Sequence, residues 1–122
     1  MKRILLAAAV LASALIVVAV ALGATTLKVT SDKTGKVAYN KKTLVAKPGK
    51  VTLKMLNVQV LTHNIAIKKT KTSKKPIVKG KVVGKGKTSQ ATATLKAGSY
   101  IFYCTVPGHE VLGMWGTLKV KK

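Results

Sequence analysis

The residue types that could carry chemistry lie on one short segment and at one distant histidine. Cys104, the only cysteine, opens an eleven-residue segment in which His109 and Met114 follow at successive intervals of five residues. His63 lies far upstream, in a separate apolar stretch. Two imidazoles, one thiolate and one thioether form the ligand set of a mononuclear blue-copper site. The four residues therefore predict a site for one copper ion.

Each of these residues, taken alone, has a simpler explanation. A single cysteine is often a small buried hydrophobe, and a methionine usually fills the core. Structural zinc is the main competing metal, but such sites favour several cysteines. Nucleophilic Cys–His catalysis is the enzymatic alternative, although neither Asp32 nor Glu110 is placed to orient a histidine. The joint pattern favours copper, because every cysteine, histidine and methionine beyond residue 23 belongs to it except Met55. Met55 lies in an alternating strand and is predicted to be core.

The first 23 residues have the composition of an export or anchoring segment. Lys2 and Arg3 precede an apolar run over residues 4–22, and small residues near its end fit signal cleavage. The run is also close to the length needed to cross a bilayer. We expect a cleaved signal peptide, with an uncleaved membrane anchor as the alternative. Either segment predicts that the domain over residues 24–122 is exported, to the periplasm or the extracellular space.

The predicted domain is strongly basic. Residues 24–122 contain 21 lysines against Asp32 and Glu110, a formal charge of +19, and nine of the lysines fall within residues 68–87. Arginine is absent after Arg3 and aromatic residues are few, so specific nucleic-acid binding is not predicted. A charge of this size instead favours acidic partners and salt-dependent encounters.

Residues 68–87 admit two interpretations. The simpler is a solvated loop with one or two short strands that keeps a monomeric protein soluble. The functional interpretation is steering toward an acidic redox partner, or association with an anionic membrane or cell surface. Both interpretations place this segment at the surface.

Short β segments separated by glycine, proline and asparagine cover the rest of the domain. Period-two alternation or extended chain is predicted at residues 27–29, 37–46, 51–56, 63–67, 88–95, 100–104 and 115–120. No helical periodicity is visible. Seven to eight short strands predict an all-β sandwich with Greek-key connections. Within it, Gly108 and Gly113 would let the metal loop double back, and Asn64 is expected to hydrogen-bond across to the Cys104 loop.

Residues 103–117 resemble the C-terminal copper motif of cupredoxins, the plastocyanin and azurin group, and the His63-Asn64 pair resembles the element that carries their first ligand. The four-residue gaps between Cys and His and between His and Met are more like auracyanin, rusticyanin and sulfocyanin than plastocyanin. The resemblance implies a cupredoxin-like sandwich in which His63, Cys104 and His109 are equatorial copper ligands and Met114 is axial.

The same resemblance implies a blue-copper electron carrier that works without substrate turnover. His109 would present its ring edge at the surface as the electron port, among apolar residues such as Val60, Pro107 and Leu112. A binuclear centre like that of cytochrome oxidase subunit II is disfavoured, because it needs two cysteines. Two alternatives remain: a copper protein for delivery, storage or sequestration, and a lysine-rich surface protein that binds anionic polymers and has a vestigial metal site.

Overall fold

The computed structural model describes residue 9, residues 12–16 and residues 23–122. Most of the predicted signal or anchor over residues 1–23 therefore lies outside the described residues. Within the described part, no helix is long and apolar enough to cross a membrane. Residues 23–122 form eight strands: β1 Gly23–Thr30, β2 Thr43–Ala46, β3 Gly49–Leu56, β4 Ala66–Lys68, β5 Val78–Lys79, β6 Thr88–Leu95, β7 Gly98–Tyr103 and β8 Trp115–Val120.

The strands form two sheets that face each other. One sheet has the order β1-β3-β6, and the other has the order β2-β8-β7-β4-β5. Strand β1 runs parallel to β3 and β2 runs parallel to β8, whereas the remaining neighbours are antiparallel. Five of the seven connections cross from one sheet to the other, and only β4–β5 and β7–β8 stay within a sheet. This confirms the predicted all-β sandwich.

The core lies between the sheets and follows the alternation in the sequence. On β3, Val51, Leu53 and Met55 are fully buried, while Lys50 is exposed. The prediction that Met55 is a core residue is therefore confirmed. From the other sheet, β7 contributes the buried ring of Phe102. Each fully buried side chain of this size stabilises the fold by about 1.5–3 kcal/mol.

The structure differs most from the predicted strands in two places. The extended chain predicted over residues 37–46 is a strand only at β2, because the preceding residues turn back and Asn40 accepts a hydrogen bond from the Thr30 amide through its side chain. The strand predicted over residues 63–67 begins only at Ala66. His63 instead forms an isolated bridge with Val83, through two backbone hydrogen bonds.

Candidate metal centre

Three of the four predicted ligands converge at one end of the sandwich. The Nδ1 atoms of His63 and His109 lie 3.1 Å apart, and the Cys104 sulfur lies 4.0 Å from the first and 3.6 Å from the second. His63 and Cys104 are buried, and His109 is half-buried. Residues 41 and 46 positions apart in sequence thus present their donor atoms to one another.

The triangle formed by these three atoms has the size that a first-row metal ion needs. The point equidistant from them lies roughly 2.1 Å from each atom, which matches the ~2.0–2.3 Å that zinc, an ion of similar size, keeps from imidazole nitrogen and thiolate sulfur. The types of donor atom distinguish a copper site from a zinc site. A trigonal His₂Cys group near a methionine is the blue-copper arrangement, whereas structural zinc favours a closed tetrahedral set.

His63 is prepared for binding by its surroundings. Its ring is fully buried, and its Nε2 lies 2.7 Å from Oε1 of Gln59. Burial, together with the neighbouring His109, lowers the pKa of His63 to about 4. The ring is therefore neutral at neutral pH, and Nδ1 can offer a lone pair to a metal.

Cys104 lies at the end of β7, on the inner side of the site. Burial raises the pKa of its thiol, while the backbone N–H groups of Asn64 and Val106 act in the opposite direction by stabilising the thiolate. A metal ion that binds here must displace the thiol proton. The two backbone donors favour the deprotonated form that results.

The 104–114 loop is closed by its own backbone. The Cys104 amide donates to the Met114 carbonyl at 3.1 Å, and the Met114 amide donates to the His109 carbonyl at 3.0 Å. Gly108 and Gly113 have φ of 84° and 115°, the left-handed region that favours glycine. These turns confirm that both glycines let the chain double back, and they hold the three predicted ligands of the loop in one compact unit.

Met114 is fully buried and packs in the same hydrophobic cluster as Cys104. Its backbone is tied to Cys104 and His109 by the loop hydrogen bonds described above. The structure therefore places Met114 at the inner base of the loop. Its role as the axial ligand stays a prediction.

Asn64 joins the two parts of the chain that contribute to the site. Its side-chain oxygen accepts the Thr105 amide at 2.8 Å, and its Nδ2 donates to Oγ1 of Thr105 and to the carbonyl of Gly80. The expected hydrogen bond from Asn64 to the Cys104 loop is thus present. It fixes the segment that carries His63 against the 104–114 loop.

Glu110, beside His109, is held by two lysines. The Lys68 ammonium, from β4, lies 2.8 Å from the Glu110 carboxylate, and the Lys71 ammonium lies at the same distance. The Lys68 side chain is only 4% exposed. Lys68 also stacks over the ring of Tyr103, 4.5 Å from its centroid. These contacts tie the outer side of the 104–114 loop to β4 and to the turn that follows it.

Apolar side chains are exposed on the two loops that carry the histidines. Val60 is 84% exposed on the loop before His63, and Val111 and Leu112 are 92% and 68% exposed just after His109. Between these loops, His109 is the one of the three converging residues that is not fully enclosed. This end of the molecule is therefore where another protein could come nearest to the site.

Sequence reasoning missed Gln59 and the lysine contacts of Glu110. Gln59 is a single polar residue in the apolar stretch at residues 58–61, four positions before His63. A buried polar group needs a partner, so its isolation in that stretch was a usable signal. The pairing of Glu110 depends on where β4 lies beside β7, which local sequence does not reveal.

Comparison with known proteins agrees with this geometry. Residues 25–121 match the family described as copper binding proteins, plastocyanin/azurin family. A reduced auracyanin from Roseiflexus castenholzii is 28% identical, with a TM-score of 0.69 over 82% of this chain and 100% of the other. Auracyanin A from Chloroflexus aurantiacus, titled a "blue" copper protein, is 26% identical, with a TM-score of 0.69 over 81% and 100%.

An azurin from Methylomonas sp. strain J shares the fold at 16% identity, with a TM-score of 0.63 over 82% of this chain and 100% of the other. Comparison with curated protein sequences gave no match.

Proposed function

Because the chain belongs to the plastocyanin/azurin family of copper-binding proteins, we propose that it is an electron carrier holding one copper ion through His63, Cys104, His109 and Met114. The observation that carries the proposal is the triangle of two imidazole nitrogens and one cysteine sulfur, with sides of 3.1, 3.6 and 4.0 Å. The blue copper protein among the similar structures supports the same metal.

Bound copper would supply one-electron chemistry between Cu(II) and Cu(I), and a trigonal His₂Cys plane with a weak axial thioether is the arrangement found at electron-transfer sites. The contribution of this chain is rigidity. The backbone bonds of the 104–114 loop and the Asn64 side chain hold the donor atoms in place from two directions. A site that does not rearrange can gain and lose an electron quickly.

The electron would leave and enter through His109. His63 and Cys104 are buried, whereas His109, the third converging residue, is half-buried. The exposed Val111 and Leu112 that follow it offer an apolar surface that a partner can cover. An apolar surface makes few hydrogen bonds or ion pairs with a partner, so few must break when the two proteins separate. It therefore suits a brief contact between electron carriers.

Spectroscopy of the purified copper form tests this function. We expect an intense blue thiolate-to-copper band, a Cu(II) electron paramagnetic resonance signal and reversible electrochemistry. A colourless protein that holds only Cu(I) would instead support delivery, storage or sequestration. A protein without stoichiometric copper would support the lysine-rich surface protein with a vestigial site. Either of these results contradicts the electron-carrier proposal.

The partner is proposed to be an acidic redox protein. Lys68 and Lys71 are paired with Glu110, so they contribute less to attraction than the formal charge suggests. Lys74 and Lys79 are exposed and line a surface pocket beside the 104–114 loop. Neither lysine forms an ion pair among the described residues. Two such cations close to the site would raise the encounter rate with an acidic surface without slowing release.

Electron exchange with an acidic one-electron carrier, or with hexacyanoferrate(III) as a small anionic probe, is expected to slow steeply with added salt. The double variant Lys74→Gln/Lys79→Gln should slow it several-fold at low salt, as surface steering predicts. The control variant, Lys47→Gln/Lys121→Gln, removes the same number of positive charges. These two lysines lie near Val120, at the end of β8 opposite the site. A rate indifferent to ionic strength, or an equal effect of both variants, would contradict the proposal.

Export is proposed for the same protein, with residues 1–23 either removed or retained as an anchor. The apolar run over residues 4–22 supports it. The mass of the protein isolated from its native cells separates the two outcomes, because cleavage removes the amino-terminal residues and an anchor keeps them. A full-length protein in the cytoplasm would contradict export.

A further inference from the structure

We propose that Gln59 is a positioning residue of the copper site. It accepts the Nε2–H of His63, and this bond fixes the imidazole tautomer that presents the Nδ1 lone pair to the metal. The inference goes beyond the four ligands to a residue that does not touch the metal, and it rests on the proposed role of His63 as a ligand.

The contact is short and enclosed. Oε1 of Gln59 lies 2.7 Å from Nε2 of His63, and the two side chains are 9% and 0% exposed. Little water competes for either group at this burial. A neutral imidazole has one N–H and one lone pair, so the nitrogen that donates to Gln59 leaves the other nitrogen free to bind a metal.

The orientation of the Gln59 amide is determined by its other contacts. Its Nε2 lies 2.7 Å from the carbonyl oxygen of Asp32 and 2.8 Å from that of Lys36. Both oxygens can only accept, so the amide nitrogen with its two hydrogens must face them. The oxygen of Gln59 therefore faces His63, and the His63 nitrogen opposite it must be the donor.

Gln59 is itself held in place by buried polar groups. Its backbone amide donates to Oδ1 of Asn57 at 2.9 Å, and Nδ2 of Asn57 donates to the carbonyls of Leu61 and Val83. The hydroxyl of Ser31 donates to the same Asn57 oxygen. Both Oε1 and Nε2 of the Gln59 amide have hydrogen-bond partners. Oε1 therefore cannot turn away from His63 without breaking several hydrogen bonds.

The two histidines of the site are held differently. Among the described residues, the ring of His109 makes its side-chain hydrogen bonds through Nδ1, the nitrogen that faces the site. Its position depends on the backbone of the 104–114 loop. His63 instead has a side-chain acceptor on the far nitrogen. The orientation of the buried His63 ring therefore depends on Gln59.

The bond also affects the metal. An imidazole that donates its far N–H to an acceptor becomes a more basic ligand, and loss of such a partner typically lowers metal affinity ~10–100-fold. A more basic nitrogen favours Cu(II) over the softer Cu(I). We therefore expect loss of Gln59 to weaken Cu(II) binding more than Cu(I) binding, which raises the reduction potential.

The first experiment uses the unaltered metal-free protein. Nitrogen-15 magnetic resonance of the His63 ring is expected to show one tautomer, protonated at Nε2 and unprotonated at Nδ1. A ring protonated at Nδ1, or one that averages between both tautomers, would overturn the proposal. This measurement needs neither copper nor a variant, so it remains decisive if a variant fails to fold.

The second experiment compares Gln59→Leu with Gln90→Leu, a matched substitution at an exposed position on β6. We expect Gln59→Leu to mix the His63 tautomers and to weaken Cu(II) binding ~10–100-fold. The reduction potential should rise by about 59 mV for each tenfold loss of Cu(II) affinity that is not matched by a loss of Cu(I) affinity. Gln90→Leu should change none of these. A folded Gln59→Leu protein with unaltered tautomer and potential would overturn the inference.

The two proposals can fail separately. Absence of a blue band in the unaltered copper form would contradict the electron-carrier function. A normal blue band, together with an unaltered tautomer and potential in Gln59→Leu, would contradict only the role of Gln59. Equal shifts in Gln90→Leu would show that the effect is not specific to the His63 contact, and this too would count against Gln59.

Discussion

Replacement of Cys104 by serine is expected to abolish the blue colour and to weaken copper binding by more than about 100-fold, because loss of a ligand costs more than the ~10–100-fold typical of an outer partner. Cys104 contributes the only thiolate of the chain, and the visible band requires a thiolate bound to Cu(II). Serine is close in size, so the fold should persist. Absorption spectra and copper titration of the variant provide the measurement.

Met114→Leu is the matched comparison for that variant. Leucine nearly conserves volume, so the buried base of the loop should stay packed at a cost below about 1.5 kcal/mol. The blue band and the copper should remain, and the reduction potential should shift, because the axial ligand is weak and tunes the potential. If Cys104→Ser and Met114→Leu behaved alike, the proposed division between strong and weak ligands would be wrong.

Gly116→Ala is expected to destabilise the fold by about 1–3 kcal/mol or more, the usual cost of overfilling a packed core. Gly116 lies on β8, directly after the 104–114 loop. A Cβ there would overlap the ring of Phe102 and come within 2.5 Å of the Lys42 carbonyl oxygen. The Phe102 ring is fully buried and the carbonyl is backbone, so neither can move freely. Urea unfolding should show a lower midpoint.

Gly84→Ala is the control for this prediction. A Cβ at Gly84 has no heavy atom within 4 Å, and the residue has no left-handed φ. We expect a change of at most about 1 kcal/mol, in the stabilising direction if the unfolded chain loses freedom. Equal losses in the two alanine variants would contradict the steric argument for Gly116.

The sequence predicted the parts of the fold that depend on local alternation. Strand β6 matches the predicted residues 88–95, and β8 matches residues 115–120. The convergence of His63 with Cys104 and His109 was also predicted, because the residue types and spacing are specific to one kind of site. These features follow from period-two patterning and from the chemistry of the donor atoms.

Other features depend on contacts between distant segments. The carbonyls of Asp32 and Lys36, which lie 27 and 23 positions from Gln59 in sequence, hold its amide in place. No local sequence pattern predicts such hydrogen bonds. His63 likewise pairs with Val83, 20 positions away, while β4 begins only at Ala66. Both contacts are hydrogen bonds between segments that are distant in sequence.

The location of the 104–114 loop has a consequence for how such a protein can change over time. Antiparallel β7 and β8 remain paired from Gly98 with Val120 up to Tyr103 with Trp115, so the loop is a hairpin tip whose base is already secured. Lengthening or shortening this tip would alter copper geometry and potential while leaving the sheet register intact. Selection could therefore change the reduction potential through one insertion or deletion, without altering the β-sandwich.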